Sequence, residues 1–448
     1  MVRCTTLVVS LFFCAGPGLA FAAEPGDALS IKLPVEKYQL KNGLTVLLLE
    51  DHTVPMISYH TWYKVGSRDE KEGITGSAHM LEHMMFQGAK KYGGKDFHRL
   101  MQENGIEWNA FTTYDYTGFY MNLPSDKIDL VMDVEVDRMS SLAIDEKNLT
   151  SEREVVKEER RWRVDNNPTG LLFELTMSTV FRKSPYHWPV IGWMKDIAKY
   201  DPKTLRHFYE TYYVPNNAVL VIAGDFDTGK IKKQIESVYG VLPFREVPPR
   251  VNAAEPPQTV QYNAKLRKDV QSTSFNVAYQ GVPEGHEDMY ALDLAATALG
   301  VGSSSRLNRR LVYQKEIATG ASAMNFGMQN AGLFGVSVTM KPGLPMNDAL
   351  DIVYNEVYKL RQKPLSEEEL KKARTIKMKS FVDGLRTIDA KAQALAATEI
   401  ITGSYENLLR DLPKYEKVTA ADVQRVANKY LNQTQRSIVV LEPRGGQP

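Results

Sequence analysis

The chain has 448 residues, 43% of them hydrophobic and 24% charged, with a formal net charge of +1. That balance is globular and long enough for two or more domains. The near-zero charge excludes the broad basic surface that nucleic acid or an anionic membrane selects. Only two cysteines, Cys4 and Cys14, are present, which excludes a disulfide scaffold.

Arg3, the apolar run Leu7 to Ala15 and the small-x-small triplet Ala20-Phe21-Ala22 make residues 1–22 read as a secretory signal peptide. Export across the inner membrane to the periplasm is the expectation. Both cysteines lie in that segment, so any metal site in the remainder must come from His, Asp and Glu. No later apolar run is long enough to span a bilayer. The stretch 35–52 alternates around Asn42-Gly43, a hairpin signal, and "VPMISYHTWYKVGS" predicts a further strand. Residues 66–76 read as a loop and 77–87 as a helix. "NAFTTYDYTGFYMNL" reads as one strand, and residues 126–143 and 146–165 as helices. "AVLVIAGDF" is a short buried strand.

Residues 241–258 carry five prolines and predict an extended linker. It separates an N-terminal domain, residues 23–240, from a C-terminal domain, residues 259–448. The two resemble each other. "SYHTWYKVG" (58–66) matches "SFNVAYQGV" (274–282), and "SLAIDEKNLTSER" (141–153) matches "QKPLSEEELKKAR" (362–374). The expected fold is α+β: two tandem homologous domains, each a largely antiparallel sheet packed by helices, joined into a clamshell. The strand alignment sets His79, Glu82 and His83 opposite Ala295, Ala298 and Leu299. The fold therefore does not require the polar cluster "HMLEH" at 79–83.

On a helix, His79 and His83 share one face and Glu82 lies beside them. Two neutral imidazoles suit Zn²⁺, and a zinc ion lowers the pKa of a bound water toward about 7. Glu82 is then the general base. A third ligand is required. The acidic helix "SEREVVKEERRW" offers Glu152, Glu154, Glu158 and Glu159, and spacing alone does not choose among them. "GVGSSSRL" (300–307) lacks the Gly-Lys-Ser/Thr of a phosphate loop, so nucleotide binding is rejected.

H-x-x-E-H is the inverted zinc-peptidase signature. "GSAHMLEHMMFQGAKKY" resembles the active-site helix of the pitrilysin, insulin-degrading and mitochondrial processing peptidase family. The family's second helix carries E-R, five residues, then the ligand glutamate; Glu152-Arg153 followed by Glu159 fits. The resemblance makes Glu159 the third zinc ligand, Glu152 a supporting catalytic-site residue and Glu158 an outward neighbour. "GIEWNAFTTYDYTGFY" resembles the family's substrate-side edge strand, which implies substrate contacts at Asn109, Ala110 and Phe111. Family members also use an Arg and a Tyr from the C-terminal half, and residues 333–349 contain neither. The resemblance therefore implies a dimer, with itself or with a homologous subunit that lacks the zinc motif. The expected function is a secreted zinc metalloendopeptidase acting on peptides or unfolded segments. The alternative is a non-catalytic binding or assembly subunit of a peptidase-like complex.

Overall fold

The computed structural model describes residues 32–445. The expected signal segment, 1–22, lies outside the described residues. Among those described, no helix is long and apolar enough to cross a membrane.

The first sheet is built from β1 (Glu36–Gln39), β2 (Thr45–Glu50), β3 (Met56–Tyr63), β4 (Glu107–Thr112), β5 (Thr117–Pro124) and β6 (Ala218–Gly224), in the order β1-β2-β6-β3-β5-β4. Only β2 and β6 run parallel. β6, "AVLVIAG", is buried along its whole length, which is why it reads as a continuous apolar run. The second sheet is built from β7 (Tyr262–Lys268), β8 (Ser274–Gly281), β9 (Ala318–Gly327), β10 (Gly332–Met340) and β11 (Arg436–Pro443), in the order β7-β11-β8-β10-β9. Here β7 and β11 are the parallel pair. The two sheets share one strand order, apart from the extra edge strand β1. The duplication read from the sequence is thus present in the topology, as two domains with mixed sheets and packed helices.

One sequence expectation is corrected. The segment "NAFTTYDYTGFYMNL" is a hairpin, β4 and β5, and not a single strand. The Thr113 hydroxyl accepts the backbone N–H groups of Asp115 and Tyr116 and so turns the chain locally.

Seven helices matter to the site. They are α1 (Ser77–Met84), α2 (Glu146–Arg160), α3 (Pro168–Val180), α4 (Met289–Gly300), α5 (Glu367–Asp383), α6 (Ile388–Thr402) and α7 (Ala420–Tyr430). Helix α1 stops at Met84, three residues short of the predicted end. Helix α2 starts on the Asp145 side chain, which accepts Asn148 N–H, and α3 starts on Asn167 with Pro168 at its first position.

The alternation of β2 divides its side chains between two cores. Val46 and Leu48 join the core that contains α1. Leu47 and Leu49 face the other way, with Trp62, Val219 and Val221, and are covered by Ala392, Leu395, Ala396 and Ile400 of α6. Helix α6 belongs by sequence to the second half. The exchange is reciprocal. On the second sheet, Leu172 of α3 packs on Val439 and Leu441, and Met177 and Val180 of α3 pack with Ala278 and Leu333. Each half therefore lends one helix to the other's sheet. Residues 243–259, which run between the halves, form neither helix nor strand.

Candidate metal centre

Helix α1 begins at Gly76, which adopts φ +87°. A Cβ there would lie 2.4 Å from the Ile191 carbonyl oxygen and 2.6 Å from the Tyr200 hydroxyl, so only glycine fits. No side chain caps this helix from the N-cap position. Glu70 replaces the cap: its two carboxylate oxygens accept Gly76 N–H (2.6 Å) and Ala78 N–H (2.9 Å). Every residue of α1 is buried.

One helical turn apart on α1, His79 and His83 present their Nε2 atoms to the same oxygen of Glu159 on α2. The distances to Glu159 Oε2 are 3.6 Å for His79 and 3.1 Å for His83. One ligand atom from each of the three residues falls within a 4.8 Å group. Two ligands bonded to a tetrahedral zinc stand about 3.3 Å apart, so this donor set has the spacing and the N/O chemistry for zinc. His83 Nδ1 lies 3.1 Å from Glu152 Oε2, and the other oxygen of Glu152 accepts from Gln87 at 2.6 Å. Glu152 thus orients a histidine and does not join the ligand group. Glu159 Oε1 pairs with Arg163, four residues on, at 3.0 Å. The other two candidate ligands of the helix are well exposed: Glu154 pairs with Lys157 and Glu158 with Arg161. The seven-residue spacing of Glu152 and Glu159 puts both on the face toward α1, a choice the sequence pattern alone left open.

Glu82 is fully buried. Its Oε2 accepts the Thr112 hydroxyl at 2.6 Å, and its Oε1 has no hydrogen-bond partner among the described residues. Burial pushes its carboxyl up to about 7, the range of a general base that works near neutrality. Burial also pulls His79 down to about 4, which keeps it neutral and able to ligate. At His83 burial opposes the charge, but the hydrogen bonds its ring donates to Glu152 and Glu159 outweigh that and raise the imidazole well above its usual value. At Glu159 burial likewise opposes the charge, and the two histidines and Arg163 overcome it, holding the carboxyl low.

The three residues expected at the substrate strand divide by strand parity. Ala110 is buried in the core with α1. Phe111 faces the opposite side of the sheet, in edge contact with Trp62 at 5.0 Å and near Tyr116 and Tyr120. Asn109 shares that parity, and a hydrogen bond from it reaches Tyr120. Neither Asn109 nor Phe111 belongs to the face that carries Thr112 and the metal ligands. The backbone a peptide can meet is that of Ala110 and Thr112. Thr113 N–H bonds Tyr116 O, so by alternation Phe111 and Asn109 are used in the pairing with β5, and no strand pairs with the other edge of β4 among the described residues. Sequence reasoning missed Thr112 and Glu70. The first lies one residue beyond the recognised motif on the inward parity; the second is six residues from the backbone it caps and has no local signature.

Loop 300–307 is held in place: Arg306 makes a two-pronged pair with Glu369, and a Cβ at Gly300 would meet Ala323 N at 2.0 Å. It is a connection pressed against β9.

A buried helix bearing an inverted H-x-x-E-H, met by a glutamate from a second helix inside a duplicated α+β fold, defines the class of inverted zinc peptidases. The chain belongs to peptidase family M16. Residues 45–192 match the family profile described as Insulinase (Peptidase family M16), and residues 199–377 match the one described as Peptidase M16 inactive domain. The chain is similar to the zinc protease PqqE of Helicobacter pylori, with 30% identity over 91% of this chain and 93% of that protein. It is also similar to an uncharacterized zinc protease of Streptomyces coelicolor, with 26% identity over 91% and 90% of the two chains. Among solved structures, a protease from Helicobacter pylori superposes with a TM-score of 0.87 at 30% identity, covering 92% of this chain and 100% of that one. A peptidase M16 inactive domain from Pseudomonas fluorescens shares the fold, with a TM-score of 0.84 at 18% identity over 93% and 99% of the two chains.

Proposed function

We propose that the chain is an exported zinc endopeptidase that hydrolyses extended peptides or unfolded segments. The observation that carries this reading is the convergence of His79 and His83 on one oxygen of Glu159, with buried Glu82 beside them on the same helix. A zinc ion held by His79, His83 and Glu159 supplies Lewis-acid activation of water and of the scissile carbonyl. Glu82 takes the proton of the attacking water and delivers it to the leaving amine. Thr112 steadies Glu82, and Glu152 fixes the ring of His83. The open edge of β4 supports binding of the peptide as an added strand. The signal-like segment 1–22 and the names of the relatives support export and zinc respectively. A non-catalytic role as a binding or assembly subunit has less support, because it would need none of the four polar residues on α1 and α2.

The test is hydrolysis of an unstructured peptide by the purified chain loaded with zinc. Glu82→Gln should keep stoichiometric zinc and lose at least about a hundredfold in rate, the scale of a general base. Glu159→Gln should lose zinc. Undiminished hydrolysis by Glu82→Gln would refute the assignment.

We further propose that a homologous subunit, or a second copy, completes the site with the Arg and Tyr absent from residues 333–349. Much of that span is β10, whose strand is paired on both sides and largely buried, so it offers a substrate few side chains. Gel filtration with a parallel assay tests this; a fully active monomer would overturn it.

A further inference from the structure

The tips of the two equivalent hairpins meet. Asp115 sits in the turn between β4 and β5, and Gln329 in the turn between β9 and β10. Gln329 N–H donates to Asp115 Oδ2 at 3.1 Å. The Gln329 side-chain oxygen accepts from two guanidinium groups, Arg68 at 3.1 Å and Arg250 at 2.5 Å. Arg68 is buried and also pairs with Asp115 Oδ1 at 3.1 Å. Arg250, from the segment between the halves, pairs with Asp69 at 2.8 Å.

Asp115 and the loop 66–70 lead to two parts of the candidate site. The loop's backbone is tied to the β4–β5 turn, with Ser67 N–H on Thr113 O and Arg68 N–H on Tyr114 O. One residue before Thr113 is Thr112, the donor to Glu82. One residue after Asp69 is Glu70, which caps the metal helix. The amide oxygen of Gln329 thus joins, through the guanidiniums of Arg68 and Arg250, the turn that precedes the base-steadying strand's partner and the loop that fixes the start of α1, beside the direct bond from Gln329 N–H to Asp115.

We infer that Gln329 is a positioning residue through which the metal-free second half sets the geometry of the site in the first half. This rests on the proposed peptidase reading. Gln329→Ala removes the shared acceptor but keeps the backbone bond to Asp115; Gln329→Glu restores an acceptor oxygen. With a fluorogenic unstructured peptide, Gln329→Ala should lower kcat about tenfold, the scale of one hydrogen bond to a charged group, with KM within about twofold. Zinc should stay stoichiometric and the melting temperature close to that of the parent. Gln329→Glu should recover most of the rate. Amide hydrogen exchange on the same proteins provides a readout independent of activity. Exchange should quicken in 107–118 and 70–80 of Gln329→Ala and stay unchanged in 289–300. An inactive parent would overturn the peptidase reading and leave the exchange comparison to judge the tie. Unchanged exchange in 107–118, or a loss of rate that follows loss of zinc or of folded protein, would overturn the inference.

Discussion

Thr112 and Asn325 occupy the same register position in the two sheets. From Tyr63 on β3 the pairing runs to Thr117 and then to Thr112; from Tyr279 on β8 it runs to Phe334 and then to Asn325. Each side chain donates to an acid on the neighbouring helix: Thr112 to Glu82 at 2.6 Å, Asn325 to Asp293 at 2.9 Å. The duplicated scaffold thus keeps a donor over an acid in both halves. In the second half the acid is paired with Lys377, 2.6 Å away on α5, and accepts the Tyr415 hydroxyl at 2.6 Å.

The pair predicts opposite consequences for similar substitutions. Thr112→Val removes the hydroxyl from a buried base and should lower kcat by about tenfold with zinc retained, since a hydrogen bond to a charged group is worth about 1.5–3 kcal/mol. Asn325→Ala should leave kcat unchanged and lower the stability to urea by about 1–2 kcal/mol. Steady-state kinetics and denaturation of both variants check this. Equal kinetic losses in the two would show that Thr112 has no special relation to the chemistry.

Glu152 should govern metal affinity more than rate. Its carboxylate holds His83 Nδ1–H, and loss of such a partner typically weakens a metal roughly 10–100-fold. Glu152→Gln should shift a chelator-competition titration by that range, while Glu82→Gln leaves it in place. His83, whose charged form Glu152 and Glu159 favour in the metal-free chain, must lose its proton to ligate, whereas His79 is already neutral. Zinc uptake near pH 7 should therefore release about one proton, and affinity should fall as pH falls. Calorimetry in buffers of different ionisation enthalpy measures that proton.

Asp288 predicts a pH dependence of stability far from the metal. Its side chain is fully buried and accepts from Arg425 (2.6 Å), Lys429 (2.9 Å) and the Tyr430 hydroxyl (2.6 Å), all on or at the end of α7. Burial opposes its charge, but these donors hold the carboxyl well below the usual carboxylate range. The folded value lies below the unfolded one, near about 4, so the contribution is complete above that pH and disappears as pH falls through the folded value. Asp288→Asn should cost about 2 kcal/mol at pH 7, a figure reduced because both cations are more than half exposed. Urea titrations at pH 7 and at pH 3 should show the gap between parent and variant narrowing at the lower pH.

The sequence carries its local order well and its long-range partnerships poorly. His79, Glu82 and His83 were legible because one helical turn defines their relation, and Glu159 because the family pattern counts forward from Glu152. The matching segments 58–66 and 274–282 set Tyr63 opposite Tyr279, and the strand pairing repeats that correspondence. The family resemblance takes Asn109, Ala110 and Phe111 as one block, although strand alternation alone sets the side chains of Asn109 and Phe111 on the side away from Thr112. Gln329, Arg250 and Glu70 leave no trace in the sequence, since each acts on backbone or charge distant from itself or lacking a motif. The exchange of α3 and α6 was equally hidden: an apolar helix face such as Ala392, Leu395, Ala396 does not say which sheet it covers.

That exchange predicts that neither half folds alone. A fragment of residues 32–250 leaves Leu47, Leu49, Trp62, Val219 and Val221 without α6, and exposes the apolar face of α3. The fragment of residues 251–445 leaves Val439, Leu441 and Leu333 without α3. Each fully buried Leu or Val so exposed forfeits about 1.5–3 kcal/mol, and several together exceed the whole stability of an ordinary domain. Each fragment should therefore show no cooperative thermal transition by circular dichroism. Mixing the two should restore one transition, and with zinc the hydrolysis of the intact chain. A native-like cooperative transition in either fragment by itself would show that the exchanged helix is dispensable to the sheet it covers.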